Sequence, residues 1–329
     1  MRTVFLFLIQ IVLLQAVDFD VVVIGTSPIP MCEAIYQAFS GKTVLLLDRW
    51  PESGGAWKSI TACGIPHADM GCHQLVGANI AVKEFLEKRV GCTMVAMEKP
   101  LEPCSEKQRC PDFYFSKGCY ELIHNLERII SKTNIVYLLN HKVDMVVVER
   151  GQVIVQTNGM SFTAQKVITI PGSYFQVEGV AATLQKPSAS KYWHLYLLVQ
   201  DGEGPKFSYQ NYSFSGISRC MNLTHFVGLT DTGKQLFVFQ AYNEAILTQG
   251  QAILEDMKRK SLIGASAYIV NTDSYIYEQY PYNTSWYYQL APEARIYFEI
   301  LDTSAFGSFS RYLSKWEQSI PLFKELFRE

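Results

Sequence analysis

The apolar pattern is sharpest near the start of the chain. Residues 19–24 (Phe-Asp-Val-Val-Val-Ile) form a run whose only polar member is Asp20. Continuous β-branched runs suit a strand covered on both faces of a parallel sheet. Gly25 ends the run, and Pro28 and Pro30 prevent an ordinary strand from continuing. Residues 31–39 follow as a helix, with Met31, Ala34, Ile35 and Ala38 on one face. Gly41 is its C-terminal stop. Residues 43–47 are a second apolar strand ending at Asp48.

Further along, residues 80–85 and 119–130 read as helices, the second carrying Leu122, Ile123, Leu126, Ile129 and Ile130 at helical spacing. A Cys- and Pro-rich link, 100–111, lies between them. Residues 135–139 are apolar, and 143–149, 153–157 and 162–170 predict a three-stranded meander with turns at Gly151 and Asn158-Gly159. From Lys191 to about Tyr288 the chain is aromatic-rich and reads as strands, followed by a strand over 295–300 and a helix from about 308 to 316.

The first two strands and their helix make a βαβ unit with an acid 23 positions after the first glycine. That is the layout of a dinucleotide site in a doubly wound α/β fold. The turn must be tight, the backbone must approach a pyrophosphate, and the helix N-terminus must face that anion. Gly25, Ser27 and Pro30 stand where the fingerprint has three glycines. Ser27 is small and brings a hydroxyl, and Pro28 and Pro30 lack an N–H, which the first helical turn tolerates. Asp48 is expected to accept hydrogen bonds from the adenosine ribose; otherwise it is a helix cap or a partner of Arg49 or Lys42.

Composition narrows the partners. Lys and Arg number 29 against 31 Asp and Glu, so there is no basic excess to neutralise nucleic-acid phosphates. Residues 4–17 are apolar apart from Gln10 and Gln15, too short for the roughly 20 residues of a spanning helix but suited to a signal-peptide core or an anchor. Secretion or membrane association through this segment is therefore the expected localisation. Sequons at Asn211, Asn222 and Asn283 lean the same way. None of the eight cysteines forms a C-x-x-C pair, and no metal site is expected. Cys92, Cys104, Cys110 and Cys119 cluster; they pair in an oxidising compartment or stay buried thiols in a reducing one.

The order G-x-S-P, helix, strand, then Asp48-Arg49, Gly54-Gly55-Ala56-Trp57 and Asp69-x-Gly71-x-His73 resembles flavoproteins of the UDP-galactopyranose mutase, protoporphyrinogen oxidase and amine oxidase superfamily. The resemblance implies FAD as cofactor. It implies contacts to FAD from Gly25, Ser27, Pro28, Asp48, Arg49, Gly54, Gly55, Ala56 and Trp57, with His73 near the flavin. It also implies that Val143 touches adenine through its backbone. A strand over 217–224 is similar to one that points an Arg at the active cleft in mutase-like proteins, making Arg219 the candidate for substrate; a surface ion pair is the other reading. His73 and Arg219 are thus the candidate catalytic residues.

The implied architecture is an FAD-binding Rossmann-like domain (18–78, 133–182 and 292–329) and an α+β substrate domain (79–132 and 183–291). The implied function is a flavoenzyme, of oxidoreductase or mutase type, acting on a small molecule. The same stretch also looks like Rab GDP-dissociation inhibitors and Rab escort proteins, which use this fold to hold prenylated partners without flavin chemistry. Loss of two fingerprint glycines keeps that second class, a binding protein for a prenylated or hydrophobic partner, in play.

Overall fold

A computed structural model describes residues 18–73, 75–76, 80–96, 111–170, 173, 175–184, 190–203, 209–210, 216–279 and 288–301. The expected leader, the Cys/Pro-rich link up to residue 110, the helix over 308–316, and Asn211 and Asn283 lie outside them.

The nucleotide-type unit is built on β1 (Asp18–Ile24), α1 (Pro28–Phe39) and β2 (Val44–Leu47). β1 runs parallel to β2, and β2 runs parallel to β8 (Val136–Leu138). On its other side β1 pairs in parallel with β11 (Ser161–Thr169). β11 also closes the antiparallel meander with β9 (Val143–Glu149) and β10 (Gln152–Thr157). β20 (Phe298–Ile300) adds a parallel strand to β11.

Alternation along β1 and β2 explains their double burial. Val21, Val23, Val44 and Leu46 pack on α1 and on α3 (Gly118–Ile130). Val22, Ile24, Leu45 and Leu47 face the other way, into a core shared with Val146, Val153, Val155 and Phe162 of the meander. The expected strands and helices of this half form within a residue or two of the expected positions, except that α1 begins three residues earlier, at Pro28. The 80–85 segment is also helical, as α2 (Ile80–Phe85), and runs on into a wider turn over Leu86–Val90.

A second, antiparallel sheet holds β14 (Ser190–Gln200), β16 (Ile217–Asn222), β17 (Lys234–Ala241) and β18 (Tyr268–Gln279). One face, with Leu195, Leu197, Phe237 and Phe239, packs on α4 (Gly250–Arg259). The reading of 191–288 as strands missed this helix. Ile253, Leu254 and Met257 form its buried stripe, a short amphipathic signal set among β-rich segments. The other face, with Tyr196, Leu198, Met221 and Val238, packs on the hairpin β3 (Ser59–Ala62) and β4 (Ile65–Asp69). That contact brings the end of β4 against β14. Residues 295–300 form a strand only at their end; a short 3-10 turn, Pro292–Ile296, precedes it.

Six cysteines among the described residues, including Cys92 and Cys119, are free and buried. Asn222 is buried as well. Its amide donates to Gln235 and its oxygen accepts from the backbone N–H and hydroxyl of Thr224, the third residue of its own sequon. In the folded chain this Asn-Leu-Thr is an Asx turn rather than a glycosylation site.

Candidate functional site

The C-terminal ends of β1 and β2 bring together most of the residues expected to hold a dinucleotide. Gly25 adopts φ +108, and a Cβ there would stand 2.9 Å from Ile170 Cδ1 and 3.5 Å from Pro30 Cγ. The turn is open only to glycine at this position. The double-glycine loop docks directly on it. Gly54 N–H donates to Thr26 O (2.9 Å), and a Cβ on Gly55 would meet Ser27 Cβ at 3.3 Å. The amides of Ser27, Ile29, Gly55 and Ala56 have no hydrogen-bond partner among the described residues. Ser27 does not cap α1 with its side chain.

Asp48 sits beneath this junction, 8% exposed. Its Oδ2 accepts from Thr26 N–H (2.8 Å) and Thr26 Oγ1 (2.6 Å), and its Oδ1 accepts from Trp50 N–H (3.0 Å). It pairs with neither Arg49 nor Lys42. An ionised carboxylate oxygen accepts about two hydrogen bonds. Oδ2 is therefore saturated, and Oδ1 retains one position. Arg49 is exposed, with its guanidinium over the Trp50 ring at 4.9 Å. The chain leaving β8 crosses the same place, with His141 N–H donating to Asp48 O (2.8 Å), and Val143 begins β9 two residues later.

The second half of the site lies where β4 meets β14. Trp57 tilts over the His73 ring, centroids 5.0 Å apart. His73 Nδ1 is shut off from solvent and has no partner. His194, 2% exposed, has an unpartnered Nδ1 too. Gly71, at φ +123, leaves room for His194, since a Cβ there would stand 3.0 Å from Nε2. Burial, then His194 and Arg219, push the His73 pKa down to about 3. Burial pushes His194 down to about 4, against a hydrogen bond with Gln240. Both imidazoles are neutral at pH 7. His73 and Arg219 thus share one electrostatic environment, with Arg219 on an exposed position of β16.

Asp69 ends β4 and is buried. Its Oδ1 accepts from Cys119 N–H at 2.7 Å, and its carbonyl accepts from Tyr196 Oη at 2.8 Å. Burial raises its pKa to about 7, against the bonds to Cys119. The sequence reading gave Thr26 and His194 no role, took Asp69 only as part of the motif before His73, and took Cys119 only as one of a cysteine cluster. Thr26 follows the first fingerprint glycine, which was the available signal. The other three come together only through tertiary packing.

No family model and no curated protein matches this sequence. Solved structures do. An oxidoreductase from Methanosarcina mazei superposes over 92% of this chain and 99% of its own, at TM-score 0.60 and 14% identity. A candidate protoporphyrinogen oxidase from Exiguobacterium covers 93% and 98%, at 0.61 and 11%. Rab GDI from Plasmodium falciparum covers 93% and 99%, at 0.56 and 14%. The chain shares the fold of these two oxidoreductases and of Rab GDI, and identities this low establish the fold alone.

His73 and His194 both contribute to the acid limb of stability, and the test uses His194. Its pKa is lowered on folding, so its contribution is complete above pH 6.5 and is lost as pH falls toward 4, by up to about 1.4 kcal/mol per pH unit. In His194→Gln, urea melts between pH 6.5 and 4 are expected to show a shallower fall than wild type. An unchanged slope would place the acid sensitivity elsewhere.

Proposed function

We propose that the chain binds FAD and works as an oxidoreductase-type flavoprotein on a small molecule. The observation that carries the reading is the set of amides without a partner among the described residues, Ser27, Ile29, Gly55 and Ala56, on two loops that touch at Ser27 and Gly55. Clustered N–H groups at a helix start form an anion cradle, and a pyrophosphate is the anion this fold places there. The fit extends to Asp48, whose remaining Oδ1 position takes one ribose hydroxyl, and to the β9 start at Val143. Thr169 Oγ1, buried without a partner at the end of β11, is a further free group at this sheet end.

The flavin, when bound, supplies the electron-transfer chemistry. The chain's own residues hold it and shape what meets it. The two loops bind the phosphates, and Trp57 against Phe115 and His73 closes one side to water. His73 and His194 present neutral imidazoles, each able to donate one proton and accept one. Arg219 is the cation available to a polar substrate group.

Recording the visible spectrum of the purified protein, before and after FAD addition, tests the reading. Flavin bands retained through gel filtration are expected. Gly55→Ala should weaken FAD about tenfold, because a Cβ at φ +56 and 3.3 Å from Ser27 Cβ pushes the loops apart. No flavin bands under either condition would remove it.

A second reading, a binding protein for a prenylated or hydrophobic partner, draws on Pro30. Its ring and Ile170 wall the space at Gly25 that the third fingerprint glycine otherwise leaves open. Retention of a prenylated peptide by flavin-free protein would favour it.

A further inference from the structure

We propose that Asp69, His73 and Cys119 form a binding site for a single zinc-type divalent cation. The inference goes beyond the FAD reading and stands without it. One carboxylate oxygen of Asp69, one ring nitrogen of His73 and Cys119 Sγ all lie within 4.8 Å of one another. Oxygen, nitrogen and sulfur donors in one small interior volume are the donor set of Zn²⁺, which binds Cys at about 2.3 Å and His or Asp at about 2.0–2.2 Å. Ligands on a tetrahedron of that size stand roughly 3.3–3.7 Å apart. Closing the group by about an ångström satisfies this and is within the reach of side-chain torsions.

Three elements converge to make the group. Asp69 is fixed at the end of β4 by Cys119 N–H on its Oδ1 and by Tyr196 Oη on its carbonyl. Cys119 is held in the first turn of α3. Gly118, at φ +63, keeps the approach clear, since any Cβ there would collide with Asp69 Oδ1. His73 follows β4 by four residues and comes in over Trp57.

A carboxylate capping the start of α3 accounts for Asp69 alone. It leaves unexplained why His73 Nδ1 is sealed from solvent with nothing to bond, a costly arrangement for a polar group. It also leaves unexplained a thiol beside both. A cation bound through a ring nitrogen of His73 draws on all three groups at once. Its three protein ligands leave a fourth position for water or a substrate oxygen. On binding, the Cys119 S–H bond breaks, the sulfur lone pair enters the metal bond, and the proton leaves to solvent.

The experiment uses the full chain. Zinc is measured in protein as purified, then cobalt(II) is titrated into chelator-treated protein. Expected results are about one zinc per chain and a thiolate-to-cobalt charge-transfer band saturating at one equivalent. The band is lost in Cys119→Ser, and cobalt affinity falls at least a hundredfold in His73→Gln. X-ray absorption of the zinc-loaded wild type is expected to give one sulfur in a shell otherwise of nitrogen and oxygen, and needs no variant to fold. Lack of a charge-transfer band in wild type, its survival in Cys119→Ser, or a zinc shell with no sulfur or with two would overturn the site. Flavin content enters none of these readouts, so failure here and failure of the FAD reading are told apart.

Discussion

Asp48→Ala is expected to lower stability by about 3–5 kcal/mol. The carboxylate is buried and accepts three hydrogen bonds, from Thr26 N–H, Thr26 Oγ1 and Trp50 N–H. Bonds to an ionised acceptor contribute about 1.5–3 kcal/mol each, but not additively. Removing the acceptor strands a backbone donor inside the junction of the Gly25 turn and the chain after β2. Truncating one side of a buried charged network costs about the amount quoted. The sequence alone suggested an acceptor for a ribose, a helix cap or an ion-pair partner; the structure makes it a clasp between two loops. Chemical melts of wild type and variant decide it, and a loss under 1 kcal/mol would show the clasp to be incidental. FAD affinity is best compared in Asp48→Asn, which keeps one acceptor for Thr26.

Gly118→Ala should cost about as much, for a different reason. The residue sits at φ +63, where a side chain costs about 1–2 kcal/mol. Its added Cβ would also collide with Asp69 Oδ1. Relief requires Asp69 to swing away, which breaks the Cys119 N–H bond and leaves a buried carboxyl without its donor. The combined loss is about 3–5 kcal/mol. Gly151→Ala is the matched control, at φ +82 with open space around it, and should lose only the conformational part. Equal melting of the two variants would show that Asp69 has room to move.

Legibility in the sequence followed the range of the interactions. β1, α1, β2, α3 and the meander were readable because each carries its own signal: a β-branched run, a helical stripe, or a turn glycine between alternating strands. α4 was missed because a buried stripe of three apolar residues in ten competes poorly with the aromatic strands around it. The two touching loops at the end of β1 were legible from Gly25 and Gly54-Gly55, whose positive φ values only glycine adopts without strain. Asp48 was found, but its partners were not. Thr26 lies 22 residues away, and nothing in its local sequence says that both its donors point at one carboxylate. That Asp69 and His73 of the motif meet His194 and Cys119 was invisible for the same reason. These residues come from β4, the segment after it, β14 and α3, and only the packing of the β3–β4 hairpin on the second sheet unites them.

The buried thiols have a use in reporting motion. Cys32 lies on the buried face of α1 and Cys220 within the second sheet, both at 0% exposure. Burial raises each pKa well above the ordinary thiol value, so neither reacts while the chain is closed. Alkylation of each therefore proceeds only through a transient opening of its own surroundings. The two rates, read by mass spectrometry on native protein, rank how often each layer of the molecule breathes. A ligand seated on the Gly25 turn should slow the clock at Cys32 before it slows the one at Cys220.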